Sequence, residues 1–286
     1  MKFGLQLPNL GPFADVHRLI KLAQGAEAAG WDGFFLWDHV AIPDRMADAT
    51  TVMAALAAVT TRLRLGVLVT APSRRRPWKL AREWTTLDHL SNGRAVLGVG
   101  LGASDYDFER CGEDAEPKVR AARMDEALTI IDALWSGREV TYHGQHFQVD
   151  GLRFQPTPIQ QPRIPIWVAG FYPNPAPLRR AARWDGMFAI RPNDPIQPDD
   201  WRQILTTIAE LRSDMAHYDA IHSDITQQGE ADRERVIAYA RAGVTWWLED
   251  ISPVRVGWPL GTDWPEPWDV DAITARIARG PITGVE

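Results

Sequence analysis

The run Leu87-Asp-His-Leu-Ser-Asn-Gly-Arg-Ala-Val-Leu-Gly-Val-Gly-Leu-Gly102 decides the reading of the fold. A helix carrying Trp84, Leu87 and Leu90 is expected to stop at Ser91-Asn92-Gly93, where glycine supplies the left-handed residue that ends a helix. The apolar segment Ala95 to Val99 reads as a strand that follows at once. Gly98, Gly100 and Gly102 crowd the exit of that strand, so another backbone or a flat ligand can approach the chain closely.

Gly98-Val-Gly100-Leu-Gly102-Ala103 also satisfies the dinucleotide pattern G-x-G-x-x-G/A. That pattern should open a helix and be followed, about 20 residues on, by an acid that closes the next strand. Here Ser104 to Pro117 is polar and broken, and Asp114 and Glu116 stand in front of a helix. The surroundings therefore argue against a Rossmann site. Tight packing and ligand contact remain two readings of the glycines.

The same strand-then-helix alternation extends outward on both sides. Before the run, strands are expected at Phe3 to Leu7, Phe34 to Trp37 and Leu63 to Thr70. The helices between them are Val16 onward, capped by Asp15 and ended by Gly30, then Ala49 to Val59 and Trp78 to Leu90. After the run, Val119 to Trp135 presents Met124, Ala127, Leu128, Ile131 and Leu134 on one helical face. Val140 to Val149 alternates about Gly144 and reads as a hairpin, and Pro156 to Pro165 is a proline-rich connector. Further strands are expected at Ile164 to Ala169, Gly186 to Ile190, a weak Tyr218 to Ile221, and Val244 to Leu248. Helices are expected at Leu178 to Ala182, Trp201 to Arg212 behind a cap at Asp199-Asp200, Glu230 to Ala242, and Val270 to Ala278. Crossover helices impose parallel strands and right-handed connections. The pattern predicts an α/β protein, a TIM (β/α)8 barrel forming a single domain over residues 1–286, with a small hairpin inserted after the fourth βα unit.

Composition narrows the function classes. The chain has 45% hydrophobic and 24% charged residues, as ordinary globular proteins do, and its net charge of −6 argues against a nucleic-acid footprint. Arg74-Arg75-Arg76 is the one basic run, read as a solvated loop or as a contact for an anionic group. A single cysteine, Cys111, leaves neither a disulfide framework nor a cysteine-based zinc site. No apolar run reaches membrane-spanning length and the first residues read as a strand, so a cytoplasmic protein is expected. Thirteen tryptophans should line a core or a flat pocket.

A barrel of this kind carries its site at the carboxyl ends of the strands. The residues expected there are Asn9, then Asp38 and His39, then Thr70 and Ala71, then Gly100 and Gly102. They continue with Gly170 and Phe171, Arg191 and Asn193, Ser223 and Thr226, and finally Glu249 and Asp250. His39 is the best catalytic candidate, because an imidazole at a strand mouth can exchange a proton near neutral pH. Its alternative is a histidine held by Asp38 or a backbone carbonyl in a purely structural turn. Metal ligands could come from Asp38, His39, His217 and His222, but no close spacing brings two of them together, and no metal is expected. Trp246 and Trp247 should point to opposite sides of their strand.

Several motifs together resemble the bacterial luciferase-like family of flavin-dependent oxidoreductases. They are Trp37-Asp38-His39, the Leu87 to Gly102 run, Phe108-Glu-Arg-Cys-Gly112 and Arg123-Met-Asp-Glu-Ala-Leu128. Ile166-Trp-Val-Ala-Gly170, Ala181-Ala-Arg-Trp-Asp-Gly186 and Ala242-Gly-Val-Thr-Trp246 continue the match in the same order. The resemblance implies a barrel that binds FMN or the deazaflavin coenzyme F-420 at the strand mouths. By position, it puts His39 beside the reactive edge of the ring, with Asp38 adjacent. It puts Thr70 and Ala71 behind the ring, at a non-proline cis peptide, and lets Gly100, Gly102, Gly170 and Phe171 meet the ring or its tail. Ala103 stands where some deazaflavin-dependent members carry an acid, which leaves His39 as the main proton-transfer candidate.

The cofactor would supply the difficult chemistry, and the protein orientation and exclusion of water. With FMN, the resemblance implies a monooxygenase acting with oxygen on a small organic substrate, with a flavin reductase as partner. With coenzyme F-420, it implies hydride transfer without oxygen. A homodimer is implied by the resemblance alone. Two rivals stand beside this reading: a metal-dependent barrel hydrolase, and a barrel that binds a flavin without turnover.

Overall fold

The computed structural model describes residues 1–42, 45–103, 106–191, 194–252 and 269–285. Its first half runs β1 (Lys2–Leu7), α1 (Val16–Ala28), β2 (Gly33–Leu36), α2 (Ala49–Val59), β3 (Arg64–Thr70), α3 (Pro77–Leu90), β4 (Ala95–Val99) and α4 (Pro117–Trp135). An antiparallel hairpin, β5 (Glu139–His143) with β6 (Gln148–Arg153), follows α4 where the insertion was expected. The second half runs β7 (Ile166–Phe171), α5 (Pro175–Ala181), β8 (Gly186–Ile190), α6 (Pro198–Leu211), β9 (Asp219–Asp224), α7 (Glu230–Arg241), β10 (Trp246–Asp250) and α8 (Val270–Ala278). The parallel strands close in the order β1-β10-β9-β8-β7-β4-β3-β2, which is the expected eight-stranded barrel.

Local chemistry sets the helix starts. Asp15 accepts from the backbone of His17 and Arg18, and Asp48 from that of Thr51, so each satisfies a donor the helix cannot. At α6 the expected cap is corrected. Gln197 is the N-cap residue, and Asp200, three residues on, reaches back to accept from its backbone N–H at 2.8 Å.

Alternation divides the strands into two faces. Phe35, Leu68, Val96, Trp167, Phe188, Ile221, Trp246 and Leu248 fill the barrel interior. Phe34, Leu65, Leu97, Val168, Met187 and Trp247 join the larger cluster under the helices, so Trp246 and Trp247 do point to opposite sides. At the amino-terminal end Asp219 accepts from the indole N–H groups of Trp167 and Trp246, each at 3.1 Å, and plugs the interior. Burial pushes its carboxyl up from the usual range.

The first part of the run that decides the fold, through Arg94, lies at this lower end. Arg94 donates to the carbonyls of Ala57, Thr60, Leu63 and Ser91 at 2.7–3.0 Å, joining the ends of α2 and α3 to the approach of β3. Asp88 is fully buried and accepts from the backbone of Ile159 and Gln160, which seats the proline connector. These are scaffold roles, on the face of a barrel where stability is built.

Candidate active site

Above the core, the inward-facing residues toward the carboxyl ends of β3, β7 and β8 are largely apolar, whereas on the opposite side of the barrel Ser223 donates to Gln6 at 3.0 Å, a buried polar pair. Val69, Ala169 and Ile190 pack on the interior cluster. Gly100 lies among them: a Cβ there would stand 2.6 Å from the Val69 side chain and 3.6 Å from the Ala169 Cβ. This part of the top layer is thus an apolar floor with no side chain at Gly100. Phe171 pairs with Ile190 at the end of β7 and is 52% exposed beside this floor.

The glycines divide by role. At Gly98 a Cβ would lie 2.1 Å from the Val67 carbonyl, and at Gly170 it would lie 2.2 Å from Pro177 at the start of α5. Both positions are therefore explained by packing. Gly102 has φ of +79°, a left-handed backbone, with Ala71 and Phe108 close by.

Thr70 is buried and pairs with Val99, whose side chain belongs to the layer under the helices, so Thr70 faces away from the barrel interior. Ala71 is fully buried. The expected cis peptide is corrected as well. It joins Leu68 to Val69, two residues before Thr70–Ala71, within the stretch from Val67 to Thr70 where the β3–β4 register shifts.

One flank of the mouth is built by the loops after β2, β3 and β4. His39 Nδ1 lies 2.6 Å from Asp107 Oδ2. Asp107 is 1% exposed, and its other oxygen accepts from the backbone N–H groups of Val40 at 2.8 Å and Ala41 at 3.1 Å. Arg74 donates to the Asp38 carbonyl at 2.6 Å and pairs with Asp38 at 3.2 Å and Asp107 at 3.1 Å. Arg75 pairs with Glu83 and faces Asp38 at 3.6 Å. Burial alone would raise the Asp107 carboxyl. The His39 hydrogen bond, the Val40 N–H and the nearby charges of His39 and Arg74 outweigh it and hold the group well below the usual carboxylate range. These side chains line a cavity of about 430 Å³ with Met46, Asp48, Cys111 and Glu113.

The structure brings Asp38 and His39, both expected from the sequence, together with Asp107, which was not. The solvated-loop reading fails at Arg74, whose side chain is buried and ion-paired to Asp38 and Asp107, and both Arg74 and Arg75 line the cavity. The adjacency of Phe108-Glu-Arg-Cys-Gly112 to Asp107 was the available signal. Among the rival metal ligands, His222 lies under the helices, stacked on Tyr239 at 4.1 Å and accepting from Trp201 Nε1, on the opposite side of the sheet from the mouth. Glu249 is likewise buried against Arg276 of α8 and Thr226. No group of three or more His, Cys, Asp and Glu residues converges as a metal set among the described residues. No helix among them is long and apolar enough to cross a membrane. Asn193 lies outside the described residues.

Comparison with known proteins gives the same architecture. The chain is 34% identical over 190 residues to an F420-dependent glucose-6-phosphate dehydrogenase of Microbacterium testaceum, covering 64% of this chain and 54% of that protein. It is 32% identical over 157 residues to the oxygenase component of a flavin-dependent trigonelline monooxygenase of Acinetobacter baylyi, covering 54% and 43%. The chain thus spans about half the length of these curated relatives. A solved monooxygenase of Streptomyces bottropensis superposes with a TM-score of 0.69 at 25% identity, covering 85% of this chain and 78% of that one. The family model of luciferase-like monooxygenases matches residues 1–245. The chain belongs to the luciferase-like monooxygenase family.

Proposed function

We propose that this protein is a flavin-dependent monooxygenase that uses reduced FMN and oxygen on a small organic substrate. The observation that carries the reading is the apolar layer of Val69, Ala169 and Ile190 about Gly100 at the strand mouths, a surface against which a planar ring can lie. Buried polar atoms beside the mouth fit the same group. Asn9 Oδ1 and Ser73 Oγ have no hydrogen-bond partner among the described residues, which suits a ligand with donors and acceptors at its edge. Bound there, reduced FMN supplies the two-electron chemistry that activates oxygen.

His39 holds and exchanges the proton at the flank of the floor, with Asp38 and Arg74 fixing its loop. Gly100 and Ala169 carry the close approach to the ring. Gly102 shapes the turn above it, and Phe171 covers it from the β7 side. Thr70, Ala71 and Gly170 act from behind this layer, as packing. A separate reductase supplies the reduced cofactor, as the phrase "oxygenase component" in one relative's name supports. A homodimer belongs to the same reading and rests on the family resemblance, whereas the cytoplasmic expectation rests on the sequence's composition and apolar patterning.

A second reading has one specific support, the relative described as F420-dependent. In it the same floor takes the deazaflavin ring, and His39 exchanges the proton that accompanies hydride transfer. Titration of the purified protein with FMN and coenzyme F-420, each oxidised and reduced, separates the two. Preference for reduced FMN supports the oxygenase, tighter binding of coenzyme F-420 selects the reductase, and binding of neither overturns both.

A further inference from the structure

We propose that Asp107 is a positioning residue that fixes the tautomer of His39, keeping the proton on Nδ1 so that Nε2 is the nitrogen that exchanges a proton at the mouth. The inference deepens the reading of His39 given above and rests on it.

The geometry leaves Asp107 no role but acceptor. Its Oδ1 receives two backbone N–H groups, from Val40 and Ala41, and its Oδ2 faces both Arg74 Nη1 at 3.1 Å and His39 Nδ1 at 2.6 Å. Every neighbour within hydrogen-bond distance in this set is a donor except the imidazole nitrogen, whose role depends on the tautomer. A proton on Nε2 alone would set the Nδ1 lone pair against a carboxylate oxygen at 2.6 Å, two acceptors in repulsive contact. With the proton on Nδ1, the two backbone donors and the imidazole are matched to the carboxylate, and Arg74 adds the charge of an ion pair.

The arrangement is held rigidly. Val40 and Ala41 follow His39 directly, so Asp107 grips the histidine's own loop as well as its ring. Arg74, buried and tied to the Asp38 carbonyl at 2.6 Å, fixes the carboxylate from the other side. Trp37 meets the His39 ring edge to face at 5.9 Å. Nε2 makes no hydrogen bond with a described residue, and His39 lines the cavity of about 430 Å³. The nitrogen that remains available is the one the carboxylate does not use.

The test uses the full chain, labelled with nitrogen-15 and without added cofactor, in long-range proton–nitrogen spectra at a pH where the imidazole is neutral. The His39 signals are identified by their loss in His39→Gln. The expected result is a protonated Nδ1 and an unprotonated Nε2. In Asp107→Asn the new amide can donate to Nδ1, and the proton moves to Nε2, so the two nitrogen shifts exchange character. A wild-type spectrum with Nε2 protonated, or with both nitrogens averaged, overturns the proposal, and this arm does not depend on any variant folding. Unchanged His39 shifts in a folded Asp107→Asn protein also overturn it. Flavin titration of the same sample reads the proposed function separately. Failure of every flavin form to bind would remove that function while the tautomer result stood.

Discussion

Arg74 Nη1 lies 3.1 Å from Asp107 Oδ2, with both side chains almost wholly withdrawn from solvent. The contact spans the loops after β3 and β4, and the other nitrogen of the same guanidinium holds the loop after β2 through Asp38. Breaking a buried pair by removing one partner leaves an uncompensated charge, at a cost of about 3–5 kcal/mol. Arg74→Met should therefore lower the unfolding free energy by that order in urea denaturation. A loss below about 1 kcal/mol, the range of exposed pairs, would show that the clasp is not what holds the loops.

The same carboxylate carries a pH dependence with a definite sign. Its folded-state pKa lies below the ordinary value of 3.8, so the stability it contributes is present above that value and is lost as pH falls beneath it. Denaturation of wild type and Asp107→Asn at a series of pH values should show the widest gap near neutrality. The gap should narrow once the pH drops below the ordinary carboxylate range. A gap that widens on acidification would contradict the assignment of Asp107 as an ionised acceptor.

Gly98 and Gly100 should respond differently to a single methyl group. At Gly98 the methyl meets the Val67 carbonyl, which is backbone and cannot yield, whereas at Gly100 it meets a Val69 side-chain methyl. Gly98→Ala is expected to cost about 1–3 kcal/mol or more. Gly100→Ala should remain closer to wild type in stability while weakening flavin binding, because it roughens the floor. Thermal denaturation paired with flavin titration checks both, and equal losses of stability would contradict the division of roles.

Arg94 tests the scaffold end of the barrel. Removing it strands the carbonyls of Ala57, Thr60, Leu63 and Ser91. Each unsatisfied buried group costs about 1–3 kcal/mol, less where water can reach it. Arg94→Ala should lower the melting temperature by many degrees while any remaining folded protein binds flavin normally. Weakened binding with unchanged stability would move Arg94 into the site.

Much of the fold was legible because apolar periodicity is strong where strands and helices bury one another. Ala95 to Val99 and Gly186 to Ile190 begin and end where the pattern predicts. The misses sit where polar residues extend a strand. The expected strand Tyr218 to Ile221 is in fact Asp219–Asp224, and Val244 to Leu248 is Trp246–Asp250. Ser223 is satisfied by Gln6, Asp224 by Arg235 and Glu249 by Arg276, partners far away in sequence that make polar strand ends tolerable. The candidate cluster was legible at Asp38-His39, which stands next to a strand end. Asp107 was not, because its meaning comes from a contact across 68 residues that no local spacing encodes. The orientation of Thr70 was not legible, because it follows a register shift in β3 that no local pattern encodes.

The floor of Val69, Gly100, Ala169 and Ile190 is expected to receive a flavin ring. This binding is tested most directly by titrating wild type and Ala169→Trp with reduced FMN and with coenzyme F-420, followed by tryptophan fluorescence. The predicted result is saturable binding of one of them to wild type, weakened by about tenfold or more when the indole fills the floor, with the variant still folded by circular dichroism. Equal binding to a folded Ala169→Trp protein, or no binding to wild type, would contradict it.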